Sequence, residues 1–169
     1  MAECIKRYLK IIVSYMNAGM FRHYDIVLFL DFDGVLAPFN DIDYEQDKFG
    51  RGFDTQCVEN LSRIVAATSA KIVVTSSWRG YLSLWRMMKM WQYRKLPNVL
   101  VGATPTIGNN RSKEIDVWLA RHKVCDYVIL DDMDARQFEP HHHSHLITCD
   151  GHIGVSQENT ERAISLLSK

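Results

Sequence analysis

The chain has 169 residues, 47% of them hydrophobic, with 20 Lys plus Arg set against 20 Asp plus Glu. That suffices for one domain with a sizeable core, and zero net charge removes the argument for a general nucleic-acid binder held by a strongly basic surface, so any such contact must be local. The four cysteines, Cys4, Cys57, Cys125 and Cys149, include no C-x-x-C pair, which predicts reduced, buried thiols in a cytoplasmic protein rather than a disulfide or zinc framework.

The opening stretch MAECIKRYLKIIVSYMNAG is apolar but broken by Lys10 and too short to span a bilayer. Residues 1–24 therefore read as an amphipathic helical extension, with no membrane partner, ahead of a single domain over 25–169. The run from Tyr24 to Leu30, apolar apart from Asp25, predicts the first strand, and Asp31 and Asp33 stand at its end. Asp41 and Asp43 follow in a loop and read as exposed turn acids. Cys57 to Thr68 places Val58, Leu61, Ile64 and Val65 on one helical face.

Lys71 to Thr75 predicts a second strand, followed by Ser76, Ser77, Trp78 and Arg79. Tyr81 to Lys95 predicts a helix, with Tyr81, Leu84, Trp85, Met88 and Trp91 along one stripe. Its interleaved Arg86, Lys89, Arg94 and Lys95 suit either a nucleic-acid margin or the solvated side of a packed amphipathic helix. Asn98 to Gly102 is a third strand, Tyr127 to Leu130 a fourth, ending in Asp131 and Asp132, and His145 to Thr148 a weaker fifth. Helices are expected over Ser112 to His122 and Ser156 to Leu167, each opening on a Ser N-cap without a strict capping box. His141, His142, His143 and His145 read as a solvent loop, with metal binding as the competing reading.

No repeat or linker divides the sequence. Continuous apolar runs alternating with helical patterns predict a three-layer α/β/α sandwich around a mainly parallel sheet, in which ligands bind beyond the carboxyl ends of the strands. Those ends carry Asp31 and Asp33, then Thr75 and Ser76, then Asp131 and Asp132, with Arg111 and Lys113 at a helix start. Clustered carboxylates repel unless a hard cation sits among them, and Mg²⁺ favours carboxylates together with substrate phosphate. A carboxylate there can attack phosphorus, while hydroxyls and a cation hold the phosphoryl oxygens.

These motifs, LDFDG, VVTSS, Arg111 or Lys113, and ILDD, occur in the order of the haloacid-dehalogenase-like (HAD) hydrolase superfamily, which the chain resembles over roughly residues 26 to 155. CVENLSRIVAATSAKIVVTSSWR, RSKEIDVWL, YVILDD and LITCDGHIG are also similar to the HAD domains of multi-enzyme RNA-repair proteins. The resemblance implies a Rossmann-like fold and a Mg²⁺-dependent phosphatase with Asp31 as nucleophile and Asp33 as general acid/base. It implies metal held by Asp31, the Asp33 backbone carbonyl and Asp132, with Asp131 in support. Thr75 or Ser76 would supply the phosphate-binding hydroxyl, and Arg111 or Lys113 the cation. The intervals Ala37 to Ala70 and Gly80 to Asn110 are too short for a lid, which implies a capless, open site. The finer expectation is a terminal phosphate on a nucleic acid or nucleotide; the alternatives are a phosphate-binding module without turnover and, less in keeping with the motif order, a phosphorylated receiver.

Overall fold

The computed structural model describes residues 22–40, 46–108 and 110–168. Most of the expected N-terminal helix (residues 1–21), Cys4, Asp41 and Asp43 lie outside the described residues. The elements run β1 (His23–Leu30), β2 (Gln46–Asp47), β3 (Gly50–Arg51), α1 (Thr55–Thr68), β4 (Lys71–Val74), α2 (Leu84–Tyr93), β5 (Leu100–Ala103), α3 (Arg111–Leu119), β6 (Lys123–Asp131), β7 (Leu146–Thr148) and α4 (Gln157–Leu167). Strand β1 thus begins at His23, inside the span assigned to the extension.

Five parallel strands form the central sheet in the order β5-β4-β1-β6-β7. Val27, Leu28, Phe29 and Leu30 are all fully buried, because successive side chains of a covered strand enter opposite cores. Leu28 and Leu30 join Leu61 and Ile64 of α1, Met87 and Trp91 of α2, and Ala163 of α4. Val27 and Phe29 join Ile115 and Trp118 of α3 and Phe138. The three-layer α/β/α sandwich is as expected, with α1, α2 and α4 on one face and α3 with short 3₁₀ turns on the other. Strand β6 extends four residues before the apolar YVIL run because its half-exposed beginning pairs with the beginning of β1.

The helix starts follow local chemistry. Asp54 caps α1, its side chain accepting from the Cys57 amide. Ser156 caps α4 as expected, and Asn159 completes a reciprocal capping box, a role its short amide fills in place of Glu or Gln. Helix α3 starts one residue before Ser112: Asn110 is its cap, accepting from the Lys113 amide, while the Ser112 hydroxyl accepts from the Glu139 amide.

Helix α2 corrects the expected stripe. Its buried residues are Met87, Met90 and Trp91, whereas Tyr81, Leu84, Trp85 and Met88 are exposed. The apolar arc is broad enough for either side to satisfy the 3.6-residue period, and packing on the sheet selects the sector containing Met87. Arg94 is also no surface cation. It ion-pairs with Asp47 at 2.9 Å, donates to the Arg51 carbonyl at 2.8 Å and lies over the Phe53 ring, tying the β2–β3 hairpin to the end of α2.

Burial pushes the Asp47 carboxyl up, but hydrogen bonds from Arg94 and the Phe49 amide, with the charges of Arg94 and Lys48, leave it below the usual range. The pair is partly buried, so Arg94→Ala should cost more than the ~1 kcal/mol of an exposed pair and less than the ~3–5 kcal/mol of a fully buried one. A depressed Asp47 contributes stability above its unfolded pKa of about 4 and loses it as the pH falls through the folded value. Denaturant unfolding should show the wild-type advantage shrinking below about pH 4.

Among the described residues, Cys57 and Cys149 are buried free thiols, whereas Cys125 is exposed, at the half-covered start of β6. The histidine segment is not a solvent loop throughout. A 3₁₀ turn over Pro140–His142 buries His142 completely. No helix among the described residues is long and apolar enough to cross a membrane.

Candidate active site

The strand register brings the chemical residues to one level. Leu30 pairs with Val74 on one side and Leu130 on the other, so Asp31, Thr75 and Asp131 emerge together, and the Thr75 amide donates to the Leu30 carbonyl at 2.9 Å. The chain moves outward from β1 through β4 to β5, then returns to β6 on the opposite side. Asp31 and Asp131 consequently flank the switch point where such sheets open a crevice.

Asp31, Asp131 and Asp132 each offer a carboxylate oxygen within 4.8 Å of the others. Asp31 Oδ1 accepts from the Phe32 amide at 2.8 Å, and its Oδ2 from Arg111 Nη2 at 3.1 Å. Arg111 Nε also lies 3.3 Å from Asp131 Oδ2, and Nη1 donates to the Thr75 carbonyl. Asp131 Oδ2 is buried and, despite that ion pair, has no hydrogen-bond partner. Burial raises the Asp131 carboxyl to about 7, with the charge of Asp31 adding to it against the opposing pull of Arg111. Burial and Asp31 also raise Asp132. One guanidinium among three carboxylates leaves an excess of negative charge, so the donor set fits a hard divalent cation such as Mg²⁺.

Gly34 permits the close approach of two chain segments. Its φ is +68°, and a Cβ there would lie 2.3 Å from Asp132 Oδ2, so any side chain would displace that carboxylate.

Asp33 stands apart from the three carboxylates. The Trp78 indole donates to both its oxygens, at 3.1 and 3.0 Å, and the Ser77 hydroxyl reaches it at 3.5 Å. Burial raises its pKa, and the Asp31 charge adds to this, while the bonds from Trp78 and Ser77 hold it back. Such a carboxyl holds a proton to higher pH than an exposed aspartate does.

The hydroxyls and cations left open by the sequence differ in their surroundings. Thr75 Oγ1 is buried with no hydrogen-bond partner, whereas Ser76 Oγ caps the 3₁₀ turn over Ser77–Gly80 by accepting from the Trp78 amide. Arg111 reaches the carboxylates; Lys113, two positions and about 200° further round the helix, is exposed. Arg111→Ala should lower turnover at least about 100-fold, on the scale of losing one electrostatic donor, whereas Lys113→Ala should change it less than about twofold. Steady-state rates of the two purified variants check this.

Sequence reasoning missed the neighbours of these groups. Arg79 ion-pairs with buried Glu114 and donates to the Ser76 carbonyl at 2.8 Å, and Glu114 accepts from the Ile107 amide. Ser77, Arg79, Thr106, Arg111, Glu114 and Gln137 line a cleft of about 580 Å³ beside the carboxylates. Position directly after β4 was the available signal for Ser77, Trp78 and Arg79; Glu114 stands in the RSKEIDVWL stretch, but nothing in the pattern marks its pairing with Arg79 across the fold.

A family model described as the HAD domain in Swiss Army Knife RNA repair proteins matches residues 27–160. Comparison with curated proteins and with solved structures found no match.

Proposed function

Since the chain belongs to the family of HAD domains in Swiss Army Knife RNA repair proteins, within the HAD hydrolase superfamily, we propose that it is a Mg²⁺-dependent phosphatase working through an aspartyl-phosphate on Asp31. The observation that carries this reading is the convergence of the Asp31, Asp131 and Asp132 carboxylates with Arg111, beside a buried, unpartnered Thr75 hydroxyl.

Asp31, the Asp33 backbone carbonyl and Asp132 would hold Mg²⁺, with Asp131 in support. The ion, when bound, supplies positive charge that offsets the carboxylates and the phosphoryl oxygens. An Asp31 oxygen attacks phosphorus; the bond to the leaving oxygen breaks, and Asp33 gives that oxygen its proton. Asp33, now a carboxylate, takes a proton from water as the water oxygen attacks phosphorus, releasing phosphate and restoring Asp31. Arg111 and the Thr75 hydroxyl hold the phosphoryl oxygens as charge spreads over them.

The rim supports one substrate class. Tyr81 is 61% exposed, and its ring centroid lies 5.9 Å from that of Trp78, the indole that holds Asp33. Trp85 is exposed on the adjoining helix with Lys89 over its ring. Exposed aromatics beside cations favour unpaired bases, and the site carries no inserted lid among the described residues. A terminal phosphate on a nucleic acid is the substrate this supports.

The test compares catalytic efficiency, with Mg²⁺ and after chelation, on 5′- and 3′-phosphorylated oligonucleotides, mononucleotides, sugar phosphates and phosphopeptides. Oligonucleotides should win, and Arg86→Ala with Lys89→Ala should lower only their turnover, with a shallow salt dependence because few phosphates are contacted. Arg94 is left intact in this variant because it holds the fold. Preference for a sugar phosphate or phosphopeptide would remove the nucleic-acid assignment; activity indifferent to chelation would remove the magnesium mechanism.

A further inference from the structure

We propose that Asp116, His141 and His142 form a second metal site, for a zinc-type divalent ion, on the flank of α3 away from the catalytic carboxylates. Of the four clustered histidines, two are committed to backbone carbonyls: His143 Nε2 to Phe138 at 3.0 Å and His145 Nδ1 to Tyr127 at 2.8 Å. The other two converge. His141 Nε2 lies 2.9 Å and His142 Nε2 3.2 Å from the same oxygen, Asp116 Oδ1, and the three donor atoms all fall within 4.8 Å of one another.

Those separations suit a metal. Zinc bonds of about 2.0 Å in tetrahedral array put neighbouring ligand atoms about 3.3 Å apart, so small rotations of three side chains would open the space. Two imidazoles and a carboxylate are donors that zinc accepts and Mg²⁺ does not favour. His141 and Asp116 are 56% and 41% exposed along their side chains, leaving a way in for the ion and a fourth position for water.

The independent observation is His142. Its side chain is fully buried, yet Nε2 has no hydrogen bond of acceptable geometry, although the Asp116 carboxylate and the Ser112 backbone face the ring. On the other side, Nδ1 lies 2.9 Å from the Tyr127 hydroxyl. With the Nδ1 proton donated to that oxygen, Nε2 presents a lone pair toward Asp116, an arrangement that repels unless a cation lies between. A hydrogen-bonded second nitrogen is also what orients metal-binding histidines. The ion would pin the Pro140–His142 turn to α3, the helix that carries Arg111 into the catalytic centre.

The test titrates the full chain with Zn²⁺ against a chromophoric chelator in excess Mg²⁺, and records the visible spectrum of the Co²⁺-loaded protein. One equivalent should bind to wild type and to Asp31→Asn, with a four-coordinate Co²⁺ spectrum. His141→Ala, at an exposed position where folding is not at stake, should weaken it at least about 100-fold and abolish the spectrum, and Tyr127→Phe should weaken it roughly 10- to 100-fold. Equal affinity in wild type and His141→Ala, or no binding to wild type, would overturn the proposal and leave His142 as an Nε2–H donor to Asp116. Loss of the site in Asp31→Asn with retention in His141→Ala would also overturn it, by locating the zinc at the catalytic carboxylates.

Discussion

Asp31→Asn should yield a folded protein whose turnover is lower by about 10⁴-fold or more, the scale on which removal of an attacking group acts. The replacement keeps the volume and one oxygen, so the Phe32 amide retains an acceptor for the 2.8 Å bond it now gives Asp31. It loses the Arg111 contact at 3.1 Å, but Arg111 keeps Asp131 at 3.3 Å and the Thr75 carbonyl. Removing one of three mutually repelling carboxylates offsets that loss, which is why stability should change little while chemistry disappears. Rates on several phosphate esters, with a thermal melt of the same preparation, check both halves. Rates near wild type from folded Asp31→Asn would place the nucleophile elsewhere.

Asp33→Asn should be impaired by roughly 10² to 10⁴-fold, the contribution of a positioned acid/base, and the loss should depend on the leaving group. The variant cannot supply a proton, although the Trp78 indole can still donate to its remaining oxygen. An aryl phosphate, whose leaving oxygen needs little protonation, should still transfer its phosphoryl group, whereas a ribose or alkyl phosphate should not. Hydrolysis of the transferred group requires a base in both cases, so the aryl phosphate should give one fast partial turnover followed by a slow phase. Pre-steady-state release of the alcohol reports the difference; identical losses for aryl and alkyl esters in that first phase would deny Asp33 the acid role.

Much of the frame was legible because buried parallel strands are written as continuous apolar runs. VLFL, KIVV and YVIL each mark a strand, and the polar residue after each marks the site edge. What stayed open depended on angles or on distant pairing. Arg111 and Lys113 are two residues apart, and only the cap at Asn110 fixes where α3 starts and hence which cation turns inward. Trp78 was visible after β4, but nothing in its neighbours signals that its indole reaches back to Asp33, 45 positions earlier. The α2 stripe was misread because its apolar arc is wider than the contact it makes, and Arg94 because its partner Asp47 lies on a two-residue strand too short to leave a pattern. Asp116 and His142 meet across 26 positions, so their approach had no sequence signature.

The most direct measurement is acid quenching of Asp33→Asn shortly after mixing with an aryl phosphate and Mg²⁺, followed by peptide mass spectrometry. One phosphoryl group should appear on the peptide containing Asp31, and none when Asp31→Asn is added to the same chain. Release of the aryl alcohol with no phosphoryl group on that peptide, or with the group on another residue, would contradict the aspartyl-phosphate mechanism.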